Sequence, residues 1–171
     1  MRLACIFFIM ILTSGCFPMS ATYFKPSGDS GAETTFGCSA IPDNFRYRDK
    51  TSEYVVGVNQ YRILLHVEAL KSDKVSWEKS DFEINVDGKI IKLKAGKWTE
   101  TYPREPCGGY TDAWGCNVYE NYNLYIDNPA LEAAKVVVVK PPTPSVNGKP
   151  MNISTIKFKR VKGVLFSPLN C

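Results

Sequence analysis

Apolar and polar residues alternate with a period of two along much of the chain, the pattern of strands that bury one face. The alternation is cleanest in residues 80–94, where Phe82, Ile84 and Val86 answer Ile91 and Leu93 across Asp87-Gly88. That dipeptide suits a two-residue type I′ turn, which needs positive φ at both central positions. The register it predicts puts Val86 opposite Lys89, Ile84 opposite Ile91 and Phe82 opposite Leu93. Glu83, Asn85, Asp87, Lys92 and Lys94 then take the other face. Upstream, residues 54–58 form a β-rich run, and Tyr61, Ile63, Leu65, Val67 and Ala69 alternate with Arg62, His66 and Glu68. Leu64 breaks the alternation, and Ile63, Val67 and Leu70 would also suit a helix; the β-branched and aromatic content decides for a strand. His66 falls on its polar face, as a partly exposed structural residue. Downstream, Val118, Tyr122, Leu124 and Ile126 alternate with Tyr119, Asn121, Asn123 and Tyr125, a strand whose outer face bears tyrosines.

Turn and breaker residues divide the remainder. Asn128 before Pro129 and residues 130–135 predict a cap, a first-position proline and a helix of about two turns. Residues 136–139 read as a buried strand stopped by Pro141, Pro142 and Pro144, and Asn147-Gly148 as a second turn whose Pro150 confines pairing to an edge. Ile156 and Phe158 alternate with Lys157 and Lys159 before a last apolar segment, Val164, Leu165 and Phe166. Residues 41–52 predict a loop with a short edge strand. Residues 17–37 mix Pro18, Pro26, Gly28, Gly31 and Gly37 without a sustained period, which predicts an extended tether. About seven short strands and one short helix argue for an all-β fold, an immunoglobulin-like sandwich or a partly open barrel. The Cys-Trp-Cys spacing of true immunoglobulin domains is absent.

The amino terminus changes the setting. Arg2 is a positive start, residues 3–12 an almost unbroken apolar run, and Thr13, Ser14 and Gly15 a small-residue exit. A spanning helix needs about 20 apolar residues, so this run predicts an export signal. Leu12-Thr13-Ser14-Gly15-Cys16 resembles the lipobox of bacterial lipoproteins, with Thr13 where Leu, Val or Ile is usual. The resemblance implies cleavage before Cys16, acylation of Cys16 and membrane attachment, which two or more chains make stable. Phe17 rather than Asp after the cysteine implies the outer membrane, facing the periplasm. The expected division is therefore a signal peptide at 1–15, a lipidated tether at 16–37 and a single β domain at 38–171.

Export gives the cysteines meaning. Cys38, Cys107, Cys116 and Cys171 remain as an even set in an oxidising compartment and predict two disulfides. Three connectivities are open; the short Gly-rich loop favours Cys107 with Cys116, leaving Cys38 with Cys171. On the loop-entropy model these contribute about 2–3 and about 4–5 kcal/mol. The net charge of +4, falling to +3 without Arg2, comes from interspersed lysines and acids, which argues against nucleic-acid partners.

No zinc helix, phosphate loop or nucleophile elbow is present, and His66 is the one histidine. The reading is a non-enzyme without metal or cofactor, an envelope protein that binds another protein as an assembly accessory, inhibitor or immunity factor. Tyr110 and Trp114, in the loop between Cys107 and Cys116, are the expected binding residues, since rigid aromatics concentrate at binding surfaces. The alternative is a small cell-wall or glycan hydrolase using paired carboxylates, with Asp112 the first acid to inspect.

Overall fold

The computed structural model describes residues 16–35, 41–77, 81–94, 98–104 and 119–168. They form fourteen strands in three antiparallel sheets, so the fold is all-β and sandwich-like. One large sheet runs β1 (Cys16–Ser27), β14 (Ile156–Pro168), β11 (Val136–Lys140), β7 (Phe82–Val86) and β8 (Lys89–Leu93). The other runs β2 (Ala32–Thr34), β3 (Asn44–Arg48), β4 (Glu53–Val58), β5 (Arg62–Leu70), β10 (Tyr119–Asp127) and β9 (Thr99–Arg104). A third, of β13 (Lys149–Pro150), β12 (Pro144–Val146) and β6 (Val75–Trp77), packs Val75, Trp77 and Val146 against the core.

Alternation is what assembles the core. Tyr54, Val56 and Val58 face Val67, Leu65 and Ile63 in direct cross-strand pairs, and Leu65 and Ile63 face Leu124 and Ile126 on the next strand. Phe24, Phe158, Val137, Val139, Ile84 and Phe82 meet them from the five-stranded sheet in one buried cluster. Each such side chain contributes about 1.5–3 kcal/mol by leaving water. Tyr54 is fully buried and hands its hydroxyl to the Pro142 carbonyl at 2.9 Å.

The hairpin at Asp87-Gly88 has the expected register, with φ of 49° and 92° at the two turn residues. Asn147-Gly148 repeats the geometry at 52° and 76°, and Pro150 lies on an edge strand. Four other expectations are corrected. Residues 16–27, read as part of a tether, are a twelve-residue strand paired with β14 from Cys16 opposite Pro168 to Ser27 opposite Lys157. It is an edge strand, where a proline can turn its missing N–H outward, so Pro18 and Pro26 do not forbid it. The expected two-turn helix is a single 3-10 turn, Pro129–Leu131, with Asn128 Oδ1 accepting the Ala130 amide as a cap. It ends early because Arg160 takes the Leu131, Glu132 and Ala134 carbonyls while the chain turns into β11. β3 lies between β2 and β4 rather than at an edge, and the last two apolar segments are one continuous strand, β14.

Candidate functional site

The five-stranded sheet narrows to a two-stranded ribbon. β11 covers β14 only from Ile156 to Lys159, beyond which, among the described residues, β1 and β14 pair with each other alone. Where the ribbon leaves the body, its inner face, the β4–β5 turn and residues 41–43 enclose a cleft of about 300 Å³. Phe24 and Val58, each 1% exposed, form its floor. Tyr61 stands on the rim and is 55% exposed. The rim backbone is tied down: Asn59 Oδ1 accepts the Tyr61 and Arg62 amides at 2.9 and 2.8 Å, and the Tyr61 carbonyl accepts the Asn128 amide at 2.8 Å.

Among the described residues two charged side chains face the cleft, and the fold has tied up one of them. Arg160 pairs directly with Phe24 across the ribbon and holds its guanidinium 4.7 Å from the ring centre. Its Nε donates to the Ala134 carbonyl at 2.6 Å, and one terminal nitrogen donates to the Leu131 and Glu132 carbonyls at 2.7 Å. Asp43 accepts a hydrogen bond from the Asn44 side-chain amide. Burial pushes the Asp43 carboxyl above the ordinary carboxylate range, against a smaller lowering by a backbone hydrogen bond. The cleft thus joins an apolar floor, an aromatic rim and one acid whose burial disfavours its charged form. At the small end of the range for ligand pockets, it has room for one side chain or small group.

A second, polar site lies on the outer face of the six-stranded sheet. Glu53 and Glu68 are directly opposite on β4 and β5, a like-charge pairing that costs stability by itself. Arg48 at 2.8 Å and Arg46 at 3.5 Å bracket the Glu53 carboxylate and offset that cost. These acids, Arg48 and Tyr119 line a polar hollow of about 200 Å³. His66 sits one row along the same face. It was expected to be partly exposed but is 7% exposed, because its Nδ1 lies 2.7 Å from Oδ1 of buried Asn123, its cross-strand neighbour.

Tyr110, Trp114, Asp112, Cys38, Cys107, Cys116 and Cys171 lie outside the described residues, as does the Cys16 side chain. The connection carrying Tyr110 and Trp114 leaves at Arg104 and returns at Tyr119, which pair with each other at the end of β10 far from the cleft. Trp77 and Trp98 stack at 4.4 Å and Tyr122 meets Trp77 edge-on at 5.4 Å, rings that pack against the core. Among the described residues no group of three or more His, Cys, Asp or Glu is placed to hold a metal, and no helix is long and apolar enough to cross a membrane. Sequence reasoning missed Asp43, Tyr61 and Arg160. Only Arg160 left a signal, a cation at the inward position that follows Ile156 and Phe158.

Fold and cleft together define an all-β sandwich with a projecting ribbon and an apolar pocket at its root. Compared with models of known protein families, with curated proteins and with solved structures, the chain matches none of them.

Proposed function

We propose that this is a lipid-anchored protein of the bacterial cell envelope that works by binding another protein rather than by bond-making chemistry. The cleft carries the reading. Its cation is committed to three backbone carbonyls, its acid is held toward the protonated form, and its apolar floor suits an inserted side chain of a partner. A half-exposed tyrosine whose backbone is held on the rim is the kind of residue that anchors such contacts at low entropic cost. The address comes from residues 1–16, and the outer membrane facing the periplasm is the proposed location.

Capture from detergent-solubilised envelopes tests the binding. A Tyr61→Glu change should abolish capture of a partner that the unaltered protein retains, with far-ultraviolet circular dichroism unchanged. Truncating such an anchor commonly costs about 2 kcal/mol or more, roughly thirtyfold in affinity. Capture that survives Tyr61→Glu but fails when Tyr110 and Trp114 are both changed to Ala would move the site to the connection between β9 and β10.

The hydrolase reading keeps one favourable observation, the facing carboxylates of Glu53 and Glu68 beside Tyr119. Against it, Arg48 and Arg46 engage the Glu53 carboxylate at 2.8 and 3.5 Å, so the pair is built into a cross-strand ion-pair network rather than left open to a substrate. Turnover of cell-wall glycan that disappears in Glu68→Gln would decide for the enzyme.

A further inference from the structure

The outer face of the five-stranded sheet carries a charge that neither the cleft nor the core uses. Strand alternation points Lys25, Lys92, Lys140, Lys157 and Lys159 outward, all exposed, and the one acid among the outward strand positions of this sheet is Glu83. Lys25 and Lys92 make exposed ion pairs, at 3.3 Å to Glu33 and 3.8 Å to Glu83. Lys140, Lys157 and Lys159 make none among the described residues. Between the lysines stand half-buried Val136 and Val138, and Ile90 at 64% exposure.

The same face continues along the ribbon with a different composition. Ala21, Tyr23, Val161 and Leu165 point outward there, and the Tyr23 ring rests over Gly163, 3.7 Å from where a Cβ would sit. The inner side of the ribbon carries the polar Ser20, Thr22 and Lys162 together with Pro18 and Val164. An apolar strip flanked by exposed lysines on a single face is the pattern of a surface that lies in a lipid–water interface. Aliphatic and aromatic groups enter the headgroup layer while lysine stems reach along it to phosphates.

From this juxtaposition we infer that the outer face of the sheet and its ribbon dock side-on to a bilayer rich in anionic phospholipid. The side chains alone carry the contact, so it does not rest on acylation of Cys16. It does not involve the floor and rim residues Phe24, Val58 and Tyr61 of the cleft, which opens on the inner side of the same ribbon and shares only Tyr23 with this surface. An acidic polypeptide would answer the lysines but leave the apolar ribbon face unused, which is why the bilayer is the better fit.

Amine footprinting of the full chain, purified in detergent and returned to vesicles, tests this. Acetylation of Lys140, Lys157 and Lys159 should slow by about threefold or more in vesicles holding about 30 mol% phosphatidylglycerol, compared with phosphatidylcholine alone. About 0.5 M salt should restore it, since screening shortens the reach of the lysine charges. Lys71 and Lys74, on the β5–β6 turn, should react alike in both vesicles. Changing Lys140, Lys157 and Lys159 together to Gln touches only exposed side chains and should abolish the lipid-dependent protection of Lys25. Equal protection in neutral vesicles, equal protection of Lys71, or protection by soluble polyglutamate matching that by vesicles would overturn the inference.

Discussion

Asp87 accepts the Lys135 and Val136 amides from its place in the hairpin turn, and those bonds hold its carboxyl below its ordinary value of 3.8. The stability it supplies is therefore complete above that value and is lost as pH falls through the lowered folded value. Asp43 has the opposite sign. Burial raises its carboxyl, so the folded chain keeps the proton longer than the unfolded one, and stability falls as pH rises through the raised value. Asp87→Asn, which keeps a residue tolerant of positive φ, should lower the urea midpoint at pH 7 and flatten its fall in acid. Asp43→Asn should raise the midpoint at pH 7 and leave it nearly unchanged at pH 3. Unfolding titrations of both variants at the two pH values check the pair. Matching shifts of one sign would show that the two carboxyls do not differ as burial and hydrogen bonding require.

At the scale of elements, the pairing of β3 with β4 depends on an absent side chain. Gly57 faces Asn44, and a Cβ there would land on the side-chain oxygen of Asn44, which is 5% exposed. Gly57→Ala should cost about 1–3 kcal/mol. Gly163→Ala, whose Cβ would meet Tyr23 at an ordinary 3.7 Å, should stay within about 0.5 kcal/mol. Comparing their denaturation midpoints tests whether strand contact or glycine content is the cause. The elements legible in the sequence were those where two signals agreed, as at 82–93, where turn chemistry and alternation fix one register. β1 was hidden because Pro18 and Pro26 are breakers anywhere but an edge, and its edge position follows from pairing with β14, some 130 positions away. The cleft was hidden for a related reason. Phe24, Asp43, Tyr61 and Arg160 belong to separate stretches that only the sheet order brings together.

For the molecule as a whole, the ribbon organises the proposal. Its outer face is offered to lipid, its inner face roofs the cleft, and its first residue is the cysteine proposed to carry the anchor. Cys16→Ala should release the protein from membranes or block its processing, and a variant that matures normally and still sediments with membranes would contradict the anchor. The central claim, that the protein works by holding a polypeptide at the cleft, is tested most directly by photo-crosslinking in cells. A photoreactive phenylalanine analogue in place of Tyr61 should give a discrete adduct with a second envelope polypeptide, and the same analogue in place of Lys71 should give none. No polypeptide adduct at position 61, or the same adducts from both positions, would contradict the account.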